Sequence, residues 1–252
     1  MKIITITNQK GGVGKTTTAL ALASGLTHKG YRVLAVDLDP QENFTYSTGT
    51  SDNESNIYSF LKGDEKRPPL KKANQGFYVI SGSINLADSD REFNDKGREY
   101  ILKKALEPLK NEFDYCIIDA PPSLSILTVN ALTASSGLIV PMNADIYSLK
   151  GLETLFALIQ KVRKYSNPDL KLEGILLTKF NGRAIINKQI REQLKNIAEQ
   201  RLGTKLFNST IREAVAIKEV LFTQKDIFSE LPNAKVTEDY KSFIEEFLNK
   251  EN

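Results

Sequence analysis

The feature that most constrains the fold is a glycine-rich loop between a short apolar segment and a long helical one. The chain opens with the apolar run KIITIT at residues 2–7, continues through NQKGGVG at residues 8–14, and then enters the helix-forming stretch KTTTALALA. A β-branched apolar run followed by glycines and a helical pattern predicts a strand, a tight turn and a helix. This opening favours an α/β fold.

Similar apolar runs recur along the chain and alternate with segments of helical period. Buried strands are predicted at residues 2–7, 32–39, 77–81, 115–120, 137–142, 173–178 and 205–211. Helices are predicted at residues 16–28, 99–110, 150–164, 186–201 and 235–249. The alternation predicts a mostly parallel central sheet with helices on both faces, and ligands bind at the carboxyl edge of such a sheet.

Length and composition favour one domain over residues 1–252. The hydrophobic content of 40% is ordinary for a globular core. Segment 46–76 is polar and interrupted by Pro68 and Pro69, so it is predicted to be an excursion from that core. It is too short to hold a core of its own, so no domain boundary is expected there. The single cysteine, Cys116, excludes a disulfide framework within the chain and fits a reducing cytoplasm.

The strand, the glycines and the GKT sequence that opens the helix form the context of a P-loop. Glycines without Cβ atoms let backbone N–H groups converge on phosphate oxygens at the positive end of a helix. A lysine at position 15 reaches the β- and γ-phosphates, and the next hydroxyl coordinates Mg²⁺. The predicted nucleotide-binding residues here are Gly11, Gly12, Val13, Gly14, Lys15, Thr16 and Thr17. The alternative is a glycine-rich turn with a solvated lysine.

Acidic residues end two further predicted strands at the same edge. Asp37 and Asp39 lie in VDLDPQ, where the period-two alternation of a strand puts them on one face, and Asp119 ends YCIID. Asp119 occupies the position of a Walker B carboxylate, which holds Mg²⁺ through water. Asp37 suits either the metal shell or the positioning of loop donors, so the predicted metal ligands are Thr16, Asp37 and Asp119. The alternative for a strand-terminal aspartate is a helix cap or a turn.

The loop departs from the ordinary P-loop pattern, because Gln9 stands where glycine is expected and Lys10 follows it. KGGVGKTT resembles the deviant Walker A motif of the ParA/MinD family of P-loop ATPases. The resemblance implies that Lys10 is a signature lysine that reaches the ATP of the other subunit in a dimer, where extra cations offset the charge of two facing nucleotides. It also implies that Asp39 orients the attacking water, so the catalytic set is Lys10, Lys15 and Asp39. The alternative for Lys10 is an exposed lysine at a strand end.

The resemblance extends to about residue 245 through segments such as PPSLSILTVNAL, VPMNADIYSLKGLETL and TIREAVAIKEV, and it looks most like Soj-like ParA partition ATPases. It implies an ATP-dependent homodimer, nonspecific DNA binding, slow hydrolysis stimulated by a ParB-type centromere-binding protein, and a cytoplasmic, nucleoid-associated location. A lone cysteine does not fit nitrogenase iron protein. The glutamate-rich end does not fit a membrane-targeting helix. The seven residues before Asn8 leave no room for a helix-turn-helix domain.

Positive charge is concentrated in residues 179–225, where ten cationic residues are interrupted by four glutamates. The family uses an arginine in the stretch that matches NGRAIINKQ, which makes Arg183 the first DNA-contact prediction. The full predicted set is Arg183, Lys188, Lys218 and Lys225. From the residues alone, a solvated helix face is the alternative. Asn181 and Arg212 are loop positions that could reach the adenine base.

The chain departs from the Soj-like pattern at four positions. Ala216 stands near the place of a second DNA-contacting arginine, Arg212 replaces a proline, and Glu42 and Phe44 are expected to make the first switch region bulkier. Two rival functions stay open. One is a ParA-like ATPase that positions a protein assembly or cargo without binding DNA, and the other is a metabolic nucleotide enzyme of the same superfamily.

Overall fold

The computed structural model describes residues 1–51 and 55–249, and it contains an eight-stranded sheet in the order β3-β4-β2-β5-β1-β6-β7-β8. The strands are β1 Lys2–Ile6, β2 Val33–Asp37, β3 Leu70–Lys72, β4 Tyr78–Ile80, β5 Tyr115–Asp119, β6 Gly137–Asn143, β7 Lys171–Thr178 and β8 Leu206–Thr210. Every neighbouring pair is parallel except β3 and β4, which are antiparallel at one edge. The predicted mostly parallel sheet is confirmed.

Helices connect the strands on both faces of the sheet. They are α1 Lys15–His28, α2 Asn43–Thr48, α3 Ile57–Lys62, α4 Ser89–Glu92, α5 Ile101–Leu106, α6 Ile126–Ala134, α7 Ile146–Tyr165, α8 Ile185–Gln200, α9 Val215–Phe222, α10 Ile227–Glu230 and α11 Lys235–Leu248. The helix predicted at 99–110 is shorter as α5 and lies between two 3₁₀ turns, the second of which contains Pro108. Proline lacks the N–H that a continuing helix requires.

Strand side chains alternate between two apolar layers. Ile4 and Ile117 pack with α1, α9 and α11, whereas Ile3 and Ile118 face the opposite side with α3, α5 and α6. The strands are apolar on both sides because helices cover both faces of a parallel sheet. No helix within the described residues is long and apolar enough to cross a membrane.

The polar excursion predicted at 46–76 contributes to the sheet. It supplies α3, whose N-cap Asn56 forms a capping box with Ser59, and the edge strand β3. Residues 52–54 of this segment lie outside the described residues. The prediction of a segment with no part in the core was therefore wrong for α3, since Ile57 and Leu61 are buried in it.

Candidate nucleotide and phosphate site

Three neighbouring strands deliver the predicted site to one edge of the sheet. Ile6 at the end of β1 pairs with Asp119 at the end of β5, and Asp37 at the end of β2 pairs with the same residue from the other side. Parallel strands end at a common edge, so the loop after β1 and both carboxylates meet there. This is the arrangement predicted from the sequence.

The loop between β1 and α1 has the backbone geometry of a phosphate cradle. Gly12 and Gly14 adopt left-handed φ values of 71° and 84°, which glycine adopts without steric cost. A Cβ atom at Gly11 or Gly12 would meet nothing within 4 Å, so open space lies over the loop. Two side chains fix the loop from behind: Asn8 Nδ2 donates to Pro141 O at 2.7 Å, and Thr178 Oγ1 donates to Val13 O at 2.7 Å.

Lys15 and Thr16 begin α1 beside the buried carboxylates. Lys15 is 7% exposed, and its Nζ donates to Lys10 O at 3.3 Å. Burial lowers the pKa of Lys15, while the nearby charges of Asp119 and Asp39 oppose that change. Thr16 Oγ1 donates to Asp119 Oδ2 at 2.7 Å. The cation, the hydroxyl and the acid predicted to act on one nucleotide are thus within one cluster.

One carboxylate oxygen of Asp119 accepts no hydrogen bond from the described residues. This atom, Oδ1, is buried, and burial together with Asp37 raises the pKa of Asp119 well above its usual range. A buried carboxylate oxygen without a donor is costly unless a cation or water satisfies it. The residues present therefore fit a Mg²⁺ ion bound near Thr16 and Asp119.

Asp37 accepts hydrogen bonds on both of its carboxylate oxygens. Its Oδ1 accepts from Asp39 N at 3.0 Å, and its Oδ2 accepts from Thr45 N at 2.9 Å and Thr45 Oγ1 at 2.8 Å. Burial raises the pKa of Asp37 to about 7, against the effect of these hydrogen bonds. Asp37 thus holds the segment from Asp39 to Thr45, and its predicted place in the metal shell stays a prediction.

Asp39 lies at the start of that segment and is 7% exposed. Its Oδ1 accepts from Gln41 N at 3.0 Å, which fixes the side chain at the site edge. Glu42 then adopts a left-handed φ of 56°, a conformation that favours glycine. The bulk expected from Phe44 does not reach the site, because this ring is fully buried and packs 6.2 Å from the ring of Phe77.

Lys10 forms an ion pair within its own chain. Its Nζ lies 2.7 Å from Asp145 Oδ2, and its backbone N donates to Asn8 Oδ1 at 3.0 Å. Asp145 is the N-cap of α7 and also accepts from Ser148 N and Ser148 Oγ. Both charged side chains are about one-third exposed, at 38% for Lys10 and 32% for Asp145. The side chain of Lys10 is thus directed to the N-terminus of α7, while its carbonyl oxygen accepts from Lys15 Nζ.

Two clefts continue from the loop along the carboxyl edge. The smaller, of about 70 Å³, is lined by Gly14, Thr17, Arg212, Lys218 and Tyr240 among others. The larger, of about 710 Å³, is lined by Asn181, Arg183, Arg191, Arg212 and Asp239 among others. Arg212 borders both clefts, and Asp239 holds its guanidinium through two hydrogen bonds of 2.7 Å. Asn181 borders only the larger one.

The four predicted DNA contacts are not in one place. Arg183 is exposed in the larger cleft and Lys218 in the smaller one, and these clefts share Lys179, Arg212 and Glu213. Lys188 is exposed in the first turn of α8. Lys225 lies beyond the other end of α9, where its Nζ is 3.0 Å from Glu230 Oε2. The structure brings Arg183 and Lys218 to adjoining clefts and leaves Lys225 apart from them.

Sequence reasoning missed three residues that hold the predicted ones. Asp145 pairs with Lys10, Thr45 with Asp37, and Asp239 with Arg212. Asp145 could have been found, because it follows a buried strand at the same sheet edge as Asp37 and Asp119. His28, the last residue of α1, lies with its Nε2 2.7 Å from Asp226 Oδ2.

Comparison with known proteins agrees with this geometry. A family model described as an AAA domain matches residues 1–172. The chain is 39% identical to "Sporulation initiation inhibitor protein Soj" of Bacillus subtilis, with 97% of each chain covered. It is 38% identical to "Chromosome-partitioning ATPase Soj" of Thermus thermophilus, with 97% of this chain and 94% of the relative covered.

Solved structures match over the whole chain as well. A plasmid partition protein from Borrelia burgdorferi bound to AMPPNP has a TM-score of 0.84 and 27% identity, with 99% of each chain covered. A structure named cobyrinic acid a,c-diamide synthase, from Mycobacterium smegmatis with an ATP analog and magnesium, has a TM-score of 0.87 and 31% identity, with 100% of this chain and 96% of the other covered. The ligands in these neighbours agree with the cofactors expected from the sequence.

Proposed function

Because the chain belongs to the ParA/Soj-like family of P-loop ATPases, we propose that it is a Mg²⁺-ATP-dependent ATPase of DNA partition. It dimerises with ATP, binds nonspecific DNA in that state, and is released when a ParB-type centromere-binding protein stimulates hydrolysis. One domain over residues 1–252 carries all of these steps. The protein acts in the cytoplasm and associates with the nucleoid only as the ATP form.

The observation that carries the ATPase part is the meeting of Lys15, Thr16 and Asp119 at a glycine loop with open space above it. The backbone N–H groups of residues 11–14 and Lys15 bind the phosphates. Thr16 and Asp119 hold the Mg²⁺, which neutralises charge that develops on the phosphates. Asp39, whose carboxylate is fixed by Gln41 N, orients the attacking water. Phosphoryl transfer needs mainly positioning and charge stabilisation, and this set supplies both.

Lys10 makes the reaction depend on a second subunit. In the free protomer its ammonium group is paired with Asp145. In the dimer it leaves Asp145 and meets the nucleotide of the partner subunit, where the negative charge is much greater than that of one carboxylate. Lys10→Ala therefore spares ATP binding by the protomer and abolishes dimerisation.

The observation that supports the DNA part is the cationic edge around the larger cleft. Lys179, Arg183 and Arg191 line it, and Lys218 lies in the adjoining cleft. These side chains suit phosphate oxygens and carry no base information, so binding is nonspecific, weak per protomer and sensitive to salt. A dimer presents the surface twice, which raises the affinity without any new kind of contact.

The test is binding to a nonspecific duplex with ATP, ADP or no nucleotide at two salt concentrations. The variants are Lys15→Ala, Arg183→Ala and Arg201→Ala. Arg201 is the matched control, because it is an exposed arginine that directly follows α8, roughly 24 Å along the helix axis from Ile185 at its start. We expect binding only with ATP, its loss in Lys15→Ala, and weakening of about fivefold or more in Arg183→Ala alone.

Other outcomes identify the rival functions. Equal and negligible DNA binding in every nucleotide state would support an ATPase that positions a protein assembly. Rapid ATP turnover with a small carboxylic acid and no DNA binding would support a metabolic enzyme, as the name of the Mycobacterium smegmatis neighbour suggests for that protein.

A further inference from the structure

We propose that Thr45 is a positioning residue of the hydrolysis reaction, which acts by locking the Asp37 carboxylate that holds Asp39 in place. The inference rests on the proposed function of Asp39 as the residue that orients water. It concerns a hydroxyl that does not touch the nucleotide loop. The geometry of the segment from Asp37 to Gly82 carries it.

A continuous line of hydrogen bonds joins the end of β4 to Asp39. Gly82 N donates to Thr45 Oγ1 at 2.7 Å, and Thr45 Oγ1 is 2.8 Å from Asp37 Oδ2. The other Asp37 oxygen accepts from Asp39 N at 3.0 Å. Because Gly82 donates to the hydroxyl, the single proton of Thr45 is free to point at Asp37. Each bond in the line thus has a fixed direction.

The line is enclosed on all sides. Asp37 and Thr45 have no exposed surface, and Asp39 is only 7% exposed. A Cβ atom at Gly82 would come within 3.0 Å of the Asp37 carboxylate, so the backbone after β4 approaches as closely as glycine allows. Hydrogen bonds in such an interior are strong, and a donor left without an acceptor is costly. The carboxylate therefore has one position while the hydroxyl is present.

Thr45 links this position to the start of α2. Its backbone N also donates to Asp37 Oδ2, at 2.9 Å. The segment between the two residues contains Asp39 and the strained Glu42, whose φ is 56°. With both ends fixed on Asp37, the segment holds Asp39 at the site edge. Without the hydroxyl, one end loosens, Asp39 shifts, and the water loses its orientation.

The test compares steady-state ATP hydrolysis by four variants with the wild type. Thr45→Val removes the hydroxyl at nearly constant shape, and Thr45→Ser restores it. Thr48→Val is the matched control, because Thr48 is equally buried in α2 but its hydroxyl bonds Thr45 O and Thr50 Oγ1 instead of Asp37. Asp39→Ala reports the role of Asp39 itself. Thr45→Ala replaces Thr45→Val if the valine variant does not fold.

We expect kcat to fall at least about tenfold in Thr45→Val with KM for ATP within about twofold, because a misplaced group loses rate more than binding. Thr45→Ser regains most of the rate, and Thr48→Val stays close to wild type. A folded Thr45→Val with wild-type kcat overturns the inference, and so does an equal loss in Thr48→Val or a loss carried by KM. If Asp39→Ala keeps the wild-type kcat, Asp39 does not orient the water, and the proposed function of Asp39 is contradicted independently of the result for Thr45.

Discussion

At the scale of single residues, the lysine that distinguishes this loop from an ordinary P-loop has a partner of its own. Asp145 holds Lys10 at 2.7 Å in a pair that is partly open to solvent. Burial raises the pKa of Asp145, but hydrogen bonds from Lys10 and Ser148 outweigh this effect and lower the pKa, so Asp145 is ionised near neutral pH. An ion pair of this exposure contributes about 1 kcal/mol or less. It is strong enough to bias Lys10 and weak enough for a nucleotide to replace it.

This competition predicts the effect of Asp145→Ser. Serine keeps an N-cap on α7 but removes the charge, so Lys10 is released at little cost to the helix. Because two such pairs are released per dimer, we expect ATP-dependent dimerisation to strengthen by up to about 30-fold, measured by sedimentation with a non-hydrolysable ATP analogue. In a Lys10→Ala background the same substitution should change nothing. An unchanged dimer affinity in the wild-type background would mean that the pair does not compete with the nucleotide.

Single residues also mark where sequence reasoning stops. The identities of Lys15, Thr16 and Asp119 follow from motif spacing, because phosphate and Mg²⁺ demand those groups at those distances along the chain. The residues that hold the site residues in place do not follow from motif spacing. Thr45 reaches Asp37 only because α2 folds back over β2, and Asp239 reaches Arg212 from a helix 27 residues later. A pairwise contact of that kind depends on packing, which one sequence does not encode in any local pattern.

At the scale of elements, the hairpin of β3 and β4 links α2 to the turn that follows α9. Gln75 in its turn donates to Ser47 O at 2.8 Å, to Lys225 O at 3.3 Å and to Gln224 O at 3.4 Å. Ser47 belongs to α2, while Gln224 and Lys225 connect α9 to α10. Gln75 is 8% exposed, so its amide group has little access to water. One amide group thus joins three parts of the chain.

We therefore expect Gln75→Glu to be more damaging than Gln75→Ala. Alanine removes the donor and lowers the free energy of unfolding by about 1–3 kcal/mol, whereas glutamate places a carboxylate against carbonyl oxygens. Urea unfolding measures both values. Exposed Gln41, changed to alanine and glutamate in the same way, is the control for the two substitutions and should show less than about 0.5 kcal/mol between them. Equal stability of the two Gln75 variants would contradict this account of the turn.

Elements differ in how much the sequence reveals about them. The apolar strands β1, β2 and β5 can be predicted from the sequence, because burial on both faces requires continuous apolar runs. Strand β3 cannot be predicted in this way, since LKK carries one apolar residue and pairs only along one edge. Helix α9 was not predicted either, although VAIKEVLF has an apolar side formed by Ile217 and Val220. Such short elements form because a neighbouring surface covers them.

At the scale of the whole molecule, the proposed dimer presents two copies of each cationic surface residue to the DNA. Counterion release makes log K for DNA fall with log salt by about 0.9 per phosphate contacted. An arginine that contacts one phosphate in each of two protomers therefore adds about 1.8 to the slope of the complex. The same residue in a bound monomer adds about half of that. The slope consequently reports both the contact and the number of subunits that make it.

This relation predicts the effect of replacing Arg183, which is exposed in the larger cleft, with alanine. With a non-hydrolysable ATP analogue, we expect the slope against log salt to become shallower by about 1.8 relative to wild type, and by almost nothing in Arg201→Ala. Fluorescence anisotropy of a labelled nonspecific duplex over a series of salt concentrations measures it. A change near 0.9 would indicate a monomer on the DNA, and no change would remove Arg183 from the interface. Only the larger value agrees with a dimer that uses Lys10 to assemble and Arg183 to hold the duplex.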